Sequence, residues 1–280
     1  MPDLDTKFHI EKNTVQETLI IPLFARKVCT EHFPNLFNDE QAERICSMLD
    51  YDFSAKSKRM ESTMGLFGAL EVAQRQYDLA YEVTEYLKTH PKAAVVNLGC
   101  GLDDTFRKCD NGKCLGFNID MEDVIKIRDE ILPAREREKN LAYNLNDEKW
   151  LDEIPSENGA VFFASGVFYY FKRKEVKKLL IKMAERFPRA IIVFDACNKR
   201  GAKMMTKTWL KEAGISDVNA YFSIEDENEL CDWSDKFSRV SAKSYMRGYR
   251  DIYKELGFIH KRMIQFCDKF VRMKIIKVEF

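Results

Sequence analysis

Two glycines and a handful of carboxylates define the chemistry this chain can offer. The run Val95-Val96-Asn97-Leu98-Gly99-Cys100-Gly101-Leu102-Asp103-Asp104 reads as a buried strand, a glycine turn and a helix start. Glycines let the backbone turn sharply and let a ligand approach the main chain. In doubly wound sheets, ligands sit beyond the carboxyl ends of the strands, where this turn falls. A Gly-x-Gly pair alone is equally compatible with a tight turn and no ligand. A dinucleotide loop would carry a third glycine and a surface hospitable to pyrophosphate, whereas Leu102, Asp103 and Asp104 follow here. Two carboxylates would repel a phosphate about 4 Å away by roughly 1 to 4 kcal/mol, depending on the local dielectric. They tolerate a ligand with an ammonium and a sulfonium, as S-adenosylmethionine has. Asp120 ends the next strand, Gly116 to Asp120, near the spacing at which an acidic residue binds ribose hydroxyls. It is also placed to cap a helix starting near Met121.

The elements that must hold these residues follow from hydrophobic periodicity. Up to about Thr89 the chain reads as helices and loops. Asn38 or Asp39 caps a helix running to about Asp50, a polar loop spans Tyr51 to Met64, and a long helix runs from about Leu66 to Leu87. That helix stops near His90-Pro91, because proline disfavours helix at the residue before it. Beyond Pro91, apolar runs predict strands over Ala93–Leu98, Cys114–Ile119, Asn140–Leu145, Ala160–Ala164 and Ala190–Asp195. Helical patterns cover Met121–Leu132, Lys172–Phe187 and Gly201–Ala213. The alternation indicates an α/β fold with βαβ units and a mostly parallel, Rossmann-like sheet. Continuously apolar strands fit a sheet covered on both faces. Near the end, a strand over Val218–Ile224, a helix over Ser241–Leu256 and a β-rich run over Phe270–Phe280 predict a last strand that returns antiparallel. Residues 1–90 are expected to form a helical cover within the same domain as a core of residues 91–280.

Composition excludes several classes. Lysine plus arginine and aspartate plus glutamate number 45 each, which removes the usual electrostatic case for nucleic acid. No apolar run approaches the length of a membrane span, and the N-terminus lacks a signal-peptide core, so a cytoplasmic protein is expected. Eight cysteines show no disulfide framework and no metal-ligand spacing. Free thiols and no metal are the expectation.

Taken together, these residues resemble the leucine carboxyl methyltransferase and tetracenomycin-type polyketide O-methyltransferase family. The resemblance runs from Thr18-Leu19-Ile20-Ile21-Pro22-Leu23-Phe24-Ala25-Arg26 through the Val95–Phe106 loop and Asn118-Ile119-Asp120-Met121-Glu122-Asp123-Val124-Ile125. It continues through Trp150-Leu151-Asp152 and Phe187–Ala196. It implies a class I methyltransferase fold using S-adenosylmethionine. Asn97, Gly99 and Gly101 would line the cofactor and Asp120 would bind its ribose. Asn144-Leu145 would flank the adenine, and Arg75 would hold the carboxylate, a group a bidentate guanidinium suits. Arg75 could equally be a solvated helix residue. The family often carries a second arginine where this chain has Ala73, and a glutamate where it has Ser165. The Ser165 hydroxyl can still bond the cofactor.

The resemblance implies O-methylation of a small-molecule carboxylate or hydroxyl. A carboxylate acceptor is already ionised, whereas a phenol or alcohol needs a base. Of the histidines, His32 alone falls in a segment expected to reach the pocket. Tyr169 and Tyr170 are the other weak catalytic candidates. Arg26 and Lys27 could bind an acidic acceptor or be plain solvated charges. Phe168, Tyr169, Tyr170 and Phe171 could line the acceptor pocket or pack the core. Two alternatives remain: a cofactor-binding protein without catalysis, motivated by Ser165 and Ala73, and a nucleotide-dependent oxidoreductase, which the missing third glycine counts against.

Overall fold

The computed structural model describes residues 7–10, 15–205 and 221–280. The N-terminal part is helical. A short parallel pair joins β1 (Phe8–His9) to β2 (Leu49–Asp50). Around it lie α1 (Val15–His32), α2 (Glu40–Met48), α3 (Ser54–Met60) and the long α4 (Thr63–Thr89). Asp39 caps α2, accepting from the Ala42 amide at 3.0 Å, and Glu40 and Glu43 favour its positive end. Ser62 caps α4 through the Gly65 amide at 3.1 Å. Helix α3 occupies the stretch expected to be a loop. It has no side-chain cap and no apolar stripe, and packing against α4 supports it.

The rest is one seven-stranded sheet with helices between strands. In chain order come β3 (Ala94–Leu98), α5 (Thr105–Cys109), β4 (Leu115–Asp120), α6 (Glu122–Ile131) and β5 (Glu138–Ala142). Then follow β6 (Ala160–Ala164), α7 (Arg173–Arg186), β7 (Ile191–Ala196), α8 (Lys199–Met205), β8 (Arg239–Ser244), α9 (Phe258–Phe266) and β9 (Lys274–Glu279). The order across the sheet is β5-β4-β3-β6-β7-β9-β8. The last strand, β9, pairs antiparallel with β7 and β8, and the other pairs are parallel. This is the mostly parallel Rossmann-like sheet expected. Successive side chains of its strands feed two separate cores. Val95, Val161, Phe163 and Val193 pack with the α1–α4 layer, and Val96, Phe162, Ile192 and Phe194 pack with Trp150 and Leu180 on the opposite face.

Two expectations near the end need correction. The first four residues of the helix expected over Ser241–Leu256 belong to β8, which pairs with β9, and Tyr245 and Met246 then turn into the core. A single 3-10 turn (Ile252–Glu255) follows. Residues 221–224 of the expected Val218–Ile224 strand join no sheet; the Tyr221 amide bonds Tyr169 O at 2.7 Å and the Ile224 amide bonds Cys197 O at 2.9 Å. Residues 218–220, and 206–213 of the helix expected over Gly201–Ala213, lie outside the described residues. The strand expected over Asn140–Leu145 lies slightly earlier, as β5.

Candidate functional site

From β3 the chain moves out to β4 and β5, then returns to place β6 on the other side of β3. That reversal opens a crevice beyond the carboxyl ends of the strands. A cavity of about 210 Å³ sits there, lined by the ends of β3, β4 and β6 and by α1 and α4.

The glycine turn is required by geometry. Gly99 has φ 66°, and a Cβ there would lie 2.5 Å from Val167 Cγ2. The Gly101 amide donates to Asp120 Oδ2 at 2.8 Å, and the Met121 amide donates to Oδ1, also at 2.8 Å. Met121, not Asp120, occupies the N-cap of α6, and it makes no side-chain cap bond. Asp120 therefore ties the turn to the strand end while lining the cavity. Burial pushes its carboxyl above the usual aspartate range, against the pull of the two amides.

The two adjacent carboxylates separate. Asp103 lines the cavity and accepts from Gln76 Nε2 (3.0 Å), Asn97 Nδ2 (3.3 Å) and the Thr105 amide (2.7 Å). Burial opposes its charge, but Arg26 and Thr105 hold its carboxyl below the usual range. Asp104 turns away to Lys108, 3.3 Å distant, and burial raises its carboxyl. The electrostatic argument for the turn thus rests on Asp103 and Asp120, not on Asp103 and Asp104.

Arg75 comes from α4 and its side chain is 13% exposed, so it is not a solvated residue. Its Nη1 donates to Asp195 Oδ2 at 3.1 Å, and Asp195 Oδ1 accepts from the Gly166 amide at 2.6 Å. Gly166 has φ 72°, and a Cβ there would meet Arg75 Nη1 at 2.7 Å. Arg75 Nε is buried and has no hydrogen-bond partner among the described residues. Ser165 and Tyr170 also line the cavity. Ala73 is buried in the core.

Arg26 lines the cavity from α1, but it is paired with Asp39 at 2.8 Å. Asp39 Oδ2 also takes Lys108 Nζ at 2.9 Å, so one carboxylate joins α1, α2 and α5. Neither outcome foreseen for Arg26, an acceptor clamp or a solvated charge, describes this buried pair.

The remaining candidates lie outside the cavity lining. Lys27 pairs with Glu31 along α1. His32 is exposed at the end of α1. Phe168 is buried against Phe194 and Phe222, with ring centroids 5.1 and 6.1 Å away, and Phe171 packs on the same cluster. Tyr169 is buried with its hydroxyl unpartnered. Asn144 is exposed in a turn closed by the Asn146 amide at 2.9 Å, and Leu145 is buried in the core beneath Trp150. Sequence reasoning passed over Gln76 and Asp195. A signal existed for Asp195, which lies at the carboxyl end of β7, one residue before its last. All eight cysteines are free, and burial pushes Cys29 and Cys46 up to about 12. Among the described residues, no helix is long and apolar enough to cross a membrane.

The sequence model of the family described as leucine carboxyl methyltransferase matches residues 20–184. The tetracenomycin polyketide synthesis O-methyltransferase TcmP of Streptomyces glaucescens is 28% identical over 183 residues, covering 65% of this chain and 66% of that protein. The S-adenosyl-L-methionine-dependent methyltransferase dpfgK of Gibberella zeae is 29% identical over 184 residues, covering 61% of each. The match therefore spans just under two thirds of the length of these relatives. A crystal structure of a DUF574 family protein from Streptomyces avermitilis shares the fold, with a TM-score of 0.59 at 8% identity over 94% of this chain and 96% of that one. The family match spans more than half of the chain and includes Arg75, the glycine turn, Asp120 and Ser165, so the chain belongs to the leucine carboxyl methyltransferase family of S-adenosylmethionine-dependent methyltransferases.

Proposed function

We propose that the chain is an S-adenosylmethionine-dependent O-methyltransferase acting on the carboxylate or hydroxyl of a small molecule. The observation that supports this most is the convergence on one cavity of Gly99, Gly101, Asp103, Asp120 and Arg75. Family membership supports the reaction class, and the TcmP relative's description supports oxygen as the acceptor atom.

These residues fit the cofactor. Gly99 and Gly101 let the main chain reach the ligand. Asp120 accepts from ribose hydroxyls, and Asp103 answers positive charge. The spare donors of Arg75 hold the amino-acid carboxylate, with Asp195 fixing the guanidinium plane. When bound, S-adenosylmethionine supplies a methyl group activated on a sulfonium. The chain's task is then alignment and exclusion of water, and such positioning contributes up to roughly 7 to 11 kcal/mol for well-oriented pairs. Among the described residues no histidine lines the cavity, which favours an acceptor already ionised, such as a carboxylate.

The test is calorimetric titration with S-adenosylhomocysteine and with 5′-methylthioadenosine, which lacks the amino-acid carboxylate. Arg75→Ala is expected to weaken the first by about tenfold or more, the scale of a charge-assisted hydrogen bond, and to leave the second unchanged. Equal losses for both would make Arg75 merely structural. If the unaltered protein bound neither, the cofactor assignment would fail. Binding without turnover across carboxylic and phenolic acceptors would leave a non-catalytic cofactor-binding protein.

A further inference from the structure

A second concavity, of about 470 Å³, lies past the carboxyl end of β7, between α8 and the turn that precedes β9. Its lining carries five cations: Lys199, Arg200, Lys203, Lys269 and Arg272. Glu225 is the single carboxylate among the lining residues, and it accepts from the Lys199 backbone amide at 2.9 Å. Among the described residues none of the five cations has an ion-pair partner. The protein pairs its charges freely elsewhere, so this crowding is not a general property of its surface.

The pocket is also built at some cost. Asn198 forms its buried floor, giving a 2.9 Å bond to Phe270 O and receiving a 2.8 Å bond from the Gly201 amide. The wall is a π-helical turn, Cys267–Val271, a rare element that recurs at functional sites. Arg272 closes this turn with φ 51° and ψ 51°, its amide bonded to Cys267 O at 2.7 Å. Glycine would adopt that conformation without strain. An exposed arginine held in this conformation, without an ion-pair partner among the described residues and lining a ring of like charge, is explained by a ligand that needs the guanidinium.

We propose that this pocket is an anion site for a small soluble ligand carrying two or more phosphate groups. Guanidinium forks and ammonium groups together suit phosphate oxygens, and a concave cluster of one sign focuses the field on them. The volume falls within the usual range for small-molecule sites, about 300 to 1,000 Å³. The inference does not depend on methyl transfer, since it concerns different residues from those of the cofactor cavity.

The experiment titrates the full chain with inorganic tripolyphosphate, at low and at physiological salt, with S-adenosylhomocysteine as a separate arm. Saturable binding that weakens with salt is expected. Lys199→Ala/Arg200→Ala should weaken it about tenfold or more while S-adenosylhomocysteine binding stays unchanged. Arg272→Gly should weaken tripolyphosphate binding yet raise the melting temperature in anion-free buffer, because the strained φ is relieved. The proposal is overturned if tripolyphosphate does not bind, or if both variants bind it as the parent does. Association with phosphatidylserine vesicles but not with tripolyphosphate would also overturn it.

Discussion

Gly99 shows how little freedom the cofactor turn has. Gly99→Ala would strain a φ of 66° and drive a methyl group into Val167. The expected cost is about 1 to 3 kcal/mol in urea denaturation, with S-adenosylhomocysteine affinity lost alongside. Retention of both would show that the turn can relax. Asp120 offers a finer test, because the ribose role proposed for it needs the carboxylate. Burial has raised its carboxyl, so it takes up a proton at higher pH than an ordinary aspartate, near 3.9. S-adenosylhomocysteine affinity should therefore be full at neutral pH and fall as the pH drops through that raised value. Asp120→Asn should bind weakly with a flatter profile. An unchanged profile in that variant would remove Asp120 from the site.

At the scale of elements, α4 does two jobs: it presents Arg75 and Gln76 to the cavity and buries its other side. Asp78 lies on that buried side, fully enclosed, with Oδ1 bonded to Gln74 Nε2 at 2.6 Å and Oδ2 unpartnered. Burial pushes its carboxyl up to about 8. The folded state thus holds a proton that the unfolded chain releases near pH 3.9, and stability is full below that value and lost as pH rises through about 8. Asp78→Asn should gain stability relative to the parent as pH rises, by about 1 kcal/mol or more at pH 9 against pH 5. An advantage that does not grow with pH would mean Asp78 is already ionised. Strands β3, β4, β6 and β7 and helices α4, α6 and α7 were legible because their apolar periods are strong and their ends are marked, as His90-Pro91 marks the end of α4. The invisible elements lack such local cause. Helix α3 has no apolar stripe, and β8 exists because β9 pairs with it. The same holds at the site. The glycine turn and Asp120 announce themselves locally, while the role of Asp195 depends on an arginine 120 positions earlier. Asn144, Leu145 and Phe168 lie outside the cavity lining, since neighbourhood in sequence does not fix which way a loop side chain turns.

For the whole molecule, equal totals of charge conceal an uneven distribution. Arg26 and Arg75 balance Asp103 and Asp120 around the first cavity, whereas five cations and a single carboxylate line the second pocket. Composition reports only the sum, so it gave no warning of that local excess. Asp39 extends the point. It neutralises Arg26 and Lys108 from beneath, although it does not line the cavity itself. Asp39→Asn keeps an acceptor for the α2 cap but takes from Arg26 its ion-pair partner near Asp103 and leaves Lys108 paired with Asp104 alone among the described residues. Titration should then show NAD binding gained and S-adenosylhomocysteine binding weakened; unaltered preferences would show that solvent already screens the pair. Selectivity here is exercised at one remove. Drift at a position that no ligand touches would re-tune which cofactors the crevice admits, with every residue of its wall left as it was.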